Sequence, residues 1–326
     1  MADIRNLVQL LADGRFHSGE EIGRQLGVSR SAVWKQLKKL SEYGLTVKSV
    51  KGRGYRLPHK LELLDRKTLL ASLSTEQAAK VSNLDLLFTV DSTNDWAMKK
   101  LHLGEASTGY VCLAEFQRCG RGRRGRQWIN PLASNIIFSM IWEFEGGATV
   151  LEGLSLAVGV AVVRALNAMG VDQVQLKWPN DILLNDAKVG GVLLDMTGDP
   201  AGRCQVIVGV GINVYMSDQQ PAIHQSWTSI LHHFPNVSRN QLTAKLISEL
   251  TALVSDYSEA GFVSVKQEWL SYDAYQGREV QLTAGDTLLQ GLVTGVADNG
   301  ALLLKVDGIE RAIHGGEVSL RPAHDS

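Results

Sequence analysis

The stretch Gly120-Arg-Gly-Arg-Arg-Gly-Arg-Gln-Trp128 stands apart from the rest of the chain. Residues 118–126 hold five arginines and three glycines. Glycine lets backbone amides approach an anion closely, and each arginine offers a planar fork of donors suited to carboxylate or phosphate. Without a ligand such a segment has like charges side by side and few apolar groups to bury. The expectation is a loop that orders when an anion arrives. It lacks the Gly-Lys-Ser/Thr ending of a P-loop. Gly120, Gly122 and Gly125 match a GxGxxG string, but arginines fill the gaps and no clear helix pattern follows, which argues against a dinucleotide fingerprint. On its own residues the loop reads as a ligand lid, a solvated loop or a second nucleic-acid patch.

The flanking sequence reads as a sheet with helices. Strand patterns run over 84–90 and 110–116, and Asp91-Ser-Thr-Asn94 stops the first and caps a helix over 95–103. A strand follows at 135–140, an apolar helix at 151–169, and short strands at 174–178, 182–184, 188–194 and 205–210. Most connections are too short for crossover helices, which predicts a largely antiparallel or mixed sheet. Within it, Lys177-Trp-Pro-Asn-Asp181 suits phosphate through Lys177 and a ribose or Mg²⁺ through Asn180 and Asp181, or is a plain Asn-Asp turn. Lys188 enters an apolar strand through Gly190 and Gly191, as a partly desolvated cation or as an edge-strand lysine. Gly209-Val-Gly211-Ile-Asn213 puts small residues and an amide where a backbone approaches something, or simply ends a strand.

The first sixty residues differ in charge from the rest. They carry twelve Lys or Arg against five acids, a balance of +7, while the whole chain is at −1 and the remainder therefore at −8. A basic module on an acidic body points to a polyanion partner for the module alone. Its helices read over 4–12, 20–26 and 30–43, with Ser18 and Glu21 as a capping box, Ser29 as an N-cap and Gly44 as a left-handed stop. Strands at 45–50 and 55–57 flank a basic Gly-tipped turn. This is a winged helix-turn-helix. Arg30, Ser31, Lys35, Lys38 and Lys39 lie opposite the apolar face of the third helix, which would enter a major groove, while Lys51, Arg53 and Arg56 would meet phosphates. A solvated face or a protein-binding winged helix is the plainer alternative.

Three cysteines, Cys112, Cys119 and Cys204, are scattered, odd in number and without metal-ligand spacing, which suggests a reducing cytosol. No apolar run approaches membrane length, and the N-terminus is unlike a secretory signal. Residues 59–67 read as a hinge. A long amphipathic helix over 240–260 precedes about fifty residues with turn signals at 284–286, 298–300 and 307–308, the pattern of a small SH3-like barrel. The expected architecture is α+β and multidomain: a winged helix-turn-helix at 1–60, a mixed-sheet body at 66–272 and the barrel at 273–326.

GRGRRGRQW, KWPND, KVGGVLLD and GVGINV occur in that order behind a winged helix. In this combination the chain resembles the bifunctional biotin protein ligases that double as repressors of the biotin operon, over essentially its whole length. Lipoate ligases are the nearest competitor, without the winged helix or this form of the loop. The resemblance implies a catalytic body like that of class II synthetases, biotin and MgATP as substrates, biotinyl-5′-AMP as intermediate, and a lysine of the biotin carboxyl carrier protein as acceptor. It also implies operator DNA as a partner and a homodimer when adenylate is bound, with no membrane partner. Ser92, Thr93, Asn94 and Gln117 would meet the biotin ring; Arg121, Gly122 and Arg123 would fold over biotin and adenylate; Lys188 would meet the carboxyl oxygen and phosphate. Lys188, Arg121 and Arg123 are the expected catalytic residues. Trp128, Lys177, Asn180, Asn213, Trp227 and Arg321 fall at the nucleotide, and Asp181 at the metal. Arg118 and Cys119 make the loop more basic, and its neighbour oxidisable, relative to the pattern, and 215–235 matches it poorly. The functional alternatives are a biotin-sensing regulator without ligase activity and a ligase whose winged helix does not bind DNA.

Overall fold

In the computed structural model the described residues are 4–147, 152–199, 201–216, 223, 225–284, 287–314 and 318–322, with the backbone alone described at 283, 284, 287 and 318–322. The N-terminal module comprises α1 (Ile4–Leu11), α2 (Gly19–Leu26), α3 (Arg30–Lys39) and the wing strands β1 (Lys48–Val50) and β2 (Gly54–Arg56). Ser18 and Ser29 cap α2 and α3 by accepting from the amides of Glu21 and Ala32 at 3.0 and 3.3 Å. The expected capping box is only half built: Glu21 turns to His17 Nδ1 at 3.3 Å. The third helix tightens to a 3-10 turn at Leu40–Tyr43 before Gly44, at φ 72°, ends it. Leu7, Val8, Leu11, Ile22, Val33, Leu37 and Leu40 form the module's core, which continues into Leu132 and Ala133 of the body.

The expected hinge is a packed strap. Leu61 and Leu64 are buried. Glu62 accepts hydrogen bonds from the Ser238 hydroxyl at 2.8 Å and from the Asn240 side chain at 2.8 Å. Burial alone would raise the pKa of Glu62, but these bonds and those from the 239 and 240 amides hold it below the usual carboxylate range. The strap therefore caps the helix that begins at Arg239. Two short helices, α4 (Arg66–Ala71) and α5 (Thr75–Lys80), then lead into the body, and here a full capping box does form, between Ser74 and Gln77.

The body holds β3 (Asn83–Leu87), α6 (Thr93–His102), β4 (Tyr110–Ala114), β5 (Asn135–Phe144), α7 (Leu154–Ala168), β6 (Val174–Lys177), β7 (Asp181–Leu184), β8 (Ala187–Gly198), β9 (Cys204–Asn213), α8 (Arg239–Ala260) and α9 (Lys266–Tyr272). Its seven strands run in the order β3-β4-β5-β9-β8-β7-β6, with β3 and β4 parallel and the other pairs antiparallel, as the short connections predicted. Helix α7 is apolar nearly all round and buried, as a helix sandwiched between sheet and α8 must be. Helix α6 covers part of the opposite face through Ala97, against Tyr110, Cys112, Ile141 and Ile207. The rest of that face carries the site.

The C-terminal module is a five-stranded antiparallel sheet, β13-β12-β11-β10-β14, built from β10 (Glu279–Ala284), β11 (Thr287–Val296), β12 (Leu302–Val306), β13 (Ile309–Ile313) and β14 (Val318–Pro322). Its apolar face merges with the core of the body through Val280, Leu282, Val293 and Leu304.

Candidate active site

The open face of the large sheet is floored by small residues in register. Ile137, Gly211, Gly191 and Asp181 are successive partners across β5, β9, β8 and β7. A Cβ on Gly211 would lie 2.6 Å from Trp128 Cε2, and one on Gly209 would lie 2.5 Å from Asn94 Oδ1. Glycine is required at both positions because another group occupies the space of its side chain. Above this floor lies a cavity of about 830 Å³, lined by the loop residues 121–124 and 126–129 and by the sheet.

One end of the cavity is a polar network. Ser92 caps α6, its hydroxyl accepting from the Asp95 amide at 3.3 Å. The Thr93 amide and hydroxyl donate to Gln117 Oε1 at 2.7 and 3.1 Å. The Ser139 hydroxyl lies 2.8 Å from Thr93 Oγ1 and 2.6 Å from Asn94 Oδ1. All five side chains are buried. Aligned donors and acceptors of this kind suit a flat polar ring, which can both donate and accept.

The other end is charged. Lys188 Nζ sits 2.5 Å from Asp181 Oδ1 and 5.9 Å from the centroid of the Trp128 ring. The register explains how Lys188 gets there. Ile182 pairs with Gly190 but Leu183 pairs with Lys188, so Val189 is a bulge. In a regular strand residues three apart point to opposite faces; the bulge brings Lys188 onto the cavity side, its Cε 3.4 Å from where a Gly191 Cβ would be. Asn180 donates to the Val192 carbonyl at 2.8 Å and accepts from Arg123 Nη1 at 3.3 Å. Burial, then the neighbouring Arg124, lowers the pKa of Arg123 below the usual guanidinium range, though not far enough for it to discharge. Lys177 Nζ lies 5.6 Å from the centroid of Tyr275. Trp128 Nε1 is buried and meets no acceptor among the described residues, a donor suited to a ligand.

The loop has its own geometry. The Gly122 amide donates to the Arg126 carbonyl at 2.7 Å and the Trp128 amide to the Gly120 carbonyl at 2.8 Å, which pinches it into a hairpin. Arg121 does not point to Lys188; it pairs with Asp95 and Asp195 at 2.6 and 2.8 Å.

Of the residues expected from sequence, Ser92, Thr93, Asn94, Gln117, Arg121, Gly122, Arg123, Trp128, Lys177, Asn180, Asp181 and Lys188 line the cavity. Asn213 does not. It stands behind the wall, donating to the Thr228 carbonyl at 3.1 Å and accepting from Asn135 at 3.3 Å. Trp227 is beside the site without lining it: the 226–228 backbone bridges that of Lys188, while the indole faces His232 at 6.3 Å. Arg321 lies on β14 at a position whose side chain is outside the described residues. Sequence reasoning missed Tyr275, Ile223, Gln225 and Ser226, which all line the cavity. No local motif marks them.

The second surface is α3 with the wing. Arg30, Ser31, Lys35, Lys38, Lys51 and Arg53 are all exposed. Arg53 and Arg56 stack over Phe16 at 4.4 and 5.0 Å, which orients the wing cations. Trp34 was not foreseen: it is 50% exposed among these cations, with Lys38 Nζ 3.9 Å from its ring.

These two surfaces define a ligase joined to a DNA-reading module, and comparison with known proteins agrees. The Biotin/lipoate A/B protein ligase family matches residues 87–213, an HTH domain 4–56, and the Biotin protein ligase C terminal domain 275–321. The bifunctional ligase/repressor BirA of Escherichia coli (strain K12) is 39% identical over 318 residues, 97% of each chain. The biotin–[acetyl-CoA-carboxylase] ligase of Paracoccus denitrificans is 32% identical over 242 residues, 72% of this chain and 98% of that one. The biotin protein ligase from Aquifex aeolicus, solved in complex with biotin and ATP, superposes with a TM-score of 0.64 at 29% identity over 74% of this chain and 100% of its own. The chain belongs to the biotin protein ligase family, in its bifunctional ligase/repressor branch.

Proposed function

We propose that this chain condenses biotin with ATP to biotinyl-5′-AMP, passes biotin to a lysine of a biotin carboxyl carrier protein, and represses transcription as an adenylate-loaded dimer on operator DNA. In this division of labour residues 1–60 read DNA, 66–272 ligate, and 273–326 support the body and acceptor, in the cytoplasm. The observation that carries the reading is one cavity joining a neutral hydrogen-bonding end at Thr93, Asn94 and Gln117 to a cationic end at Lys188, under an arginine loop.

The chemistry follows from charge. A biotin carboxylate oxygen attacks the α-phosphorus of ATP, and pyrophosphate leaves. Both reactants are anions, so their approach needs fixed positive charge. Lys188 is held on the cavity face and Arg123 above it; between them they offset the repulsion and the charge that develops in the transition state. Trp128 Nε1 offers a donor, and its ring a surface for the base. Mg²⁺ fits if the phosphates carry it: among the described residues no group of three protein ligands is assembled, and Asp181 is the carboxylate lining the cavity. When bound there, it would supply Lewis-acid neutralisation of the phosphates. In the second step the ε-amine of the acceptor attacks the anhydride carbonyl and AMP leaves. No enzyme nucleophile is needed, and the loop keeps water from the anhydride.

Biotin-dependent exchange of pyrophosphate into ATP tests the enzyme; folded protein without exchange would leave a biotin-sensing regulator. For the repressor, replacing Lys35, Lys38 and Arg53 with alanine should weaken binding uniformly across DNA sequences. The salt slope should fall by about one for each phosphate that is no longer neutralised. Binding indifferent to both changes would mean that the winged helix does not read DNA.

A further inference from the structure

Asp195 closes the KVGGVLLD segment, and the two-step reaction gives it no task. It lies on β8 two and four residues beyond Leu193 and Gly191, so all three face the cavity side. One of its oxygens, Oδ2, accepts from two groups that belong to different parts of the site. Asn94 Nδ2 donates to it at 2.8 Å, and Arg121 Nη2 at 2.8 Å. Asp95 Oδ1 holds the same Arg121 nitrogen from α6 at 2.6 Å.

Resting on the proposed biotin site, we infer that Asp195 is a positioning residue that sets which way the Asn94 amide faces and latches the arginine loop shut. The first role follows from the inventory of hydrogen-bonding atoms. An ionised carboxylate only accepts, so it takes the NH₂ end of Asn94 and turns Oδ1 the other way. That oxygen then sits 2.6 Å from the Ser139 hydroxyl, beside Gly209, where the missing Cβ leaves room. That oxygen keeps a second lone pair and belongs to a side chain that lines the cavity, so it can accept from an N–H of a cyclic urea. An amide free to flip would present N–H to N–H half the time. The second role is electrostatic. Arg121 sits among like charges at 118, 123, 124 and 126, and two carboxylates on the sheet and on α6 draw it down against that repulsion. Asp195 accepts from both Asn94 and Arg121, so it connects the ring-binding end to the loop.

The test uses the full-length protein with biotin, ATP and purified biotinyl-5′-AMP. Asp195→Asn should raise the KM for biotin about tenfold with the KM for ATP nearly unchanged, and speed adenylate dissociation about tenfold, the size of one charge-assisted hydrogen bond. Arg121→Ala should speed adenylate dissociation about tenfold, since the loop loses its pairs with Asp95 and Asp195. In the double variant the effect of Asp195→Asn on dissociation should disappear, while its effect on biotin KM remains. Asp195→Glu keeps an acceptor-only group and should stay within about threefold of wild type on both readouts. Wild-type values in Asp195→Asn, a Glu variant as impaired as the Asn variant, or a KM for ATP rising in parallel would overturn the inference. If wild-type protein itself exchanges no pyrophosphate with biotin, it is the proposed function that fails.

Discussion

Tyr43, in the turn that ends the third helix, packs its ring against Phe116 with centroids 5.1 Å apart and planes at 56°. Phe116 immediately precedes Gln117, and the Leu132 amide donates to the Tyr43 carbonyl at 2.9 Å, so the DNA-reading module is seated on the strand end that enters the ligand loop. Tyr43→Ala removes a half-buried aromatic pair worth about 1–3 kcal/mol. Calorimetry should then show the winged helix melting before the body. A single unchanged transition would mean that the two modules are held together elsewhere.

Arg239 is fully buried, and its guanidinium donates to the Asn135 carbonyl at 2.9 Å, to the Glu62 carbonyl at 2.6 Å and to Glu115 Oε2 at 2.5 Å. Arg239→Met strands the Glu115 carboxylate in the core and should cost about 3–5 kcal/mol in urea unfolding. Pairing it with Glu115→Leu should recover much of that loss, because the stranded charge and not the missing attraction is what costs. A double variant worse than the sum of the singles would show that the attraction itself dominates.

Asp273 sits where the body meets the C-terminal module, and burial pushes its carboxyl up to about 6 although the Tyr275 amide and Arg278 act in the opposite direction. Oδ2 is buried without a hydrogen-bond partner among the described residues. A carboxyl raised above its unfolded value favours folding fully below about 4, and that contribution is lost as pH climbs to about 6. Asp273→Asn should therefore stabilise the protein at pH 7 by up to about 2 kcal/mol and make no such gain at pH 4. Chemical denaturation at the two pH values gives the answer; equal effects at both would mean that folding does not change the group's affinity for a proton.

Two glycines on β9 separate the ends of the cavity. Gly209→Ala drives a methyl into Asn94 and Gly211→Ala drives one into Trp128. The first should raise KM for biotin and the second KM for ATP, each about tenfold, the order of 1–3 kcal/mol for overpacking. Measured by pyrophosphate exchange, a reversed pattern would place the two substrates the other way round.

Arg123 spans from the loop to Asn180. Arg123→Gly should let biotinyl-5′-AMP escape, so that lysines of bystander proteins become biotinylated. Retained adenylate and unchanged acceptor selectivity would show that the loop is closed by other contacts.

Much of this molecule was legible in its sequence. Caps at Ser18 and Ser29, the stop at Gly44 and the glycine-tipped wing are local events, decided by residues within four positions of one another. The same holds for the alternation and short connections that predicted a mixed or antiparallel body, and for the motifs that bring twelve of the expected residues to one cavity. What tertiary structure alone decided depends on partners far apart in the chain. The bulge at Val189, which turns Lys188 onto the cavity face, exists only because β7 and β8 pair in one register. Asn213 lies behind the wall because its amide is taken by Asn135 and the 228 carbonyl. Residues 59–67, polar enough to read as a hinge, are held because Glu62 finds the unpaired amides that start α8, the first of them 177 residues later. Periodicity and spacing report what a segment offers to its neighbours; which neighbour answers is set by register, bulges and burial, and those are properties of the assembled fold.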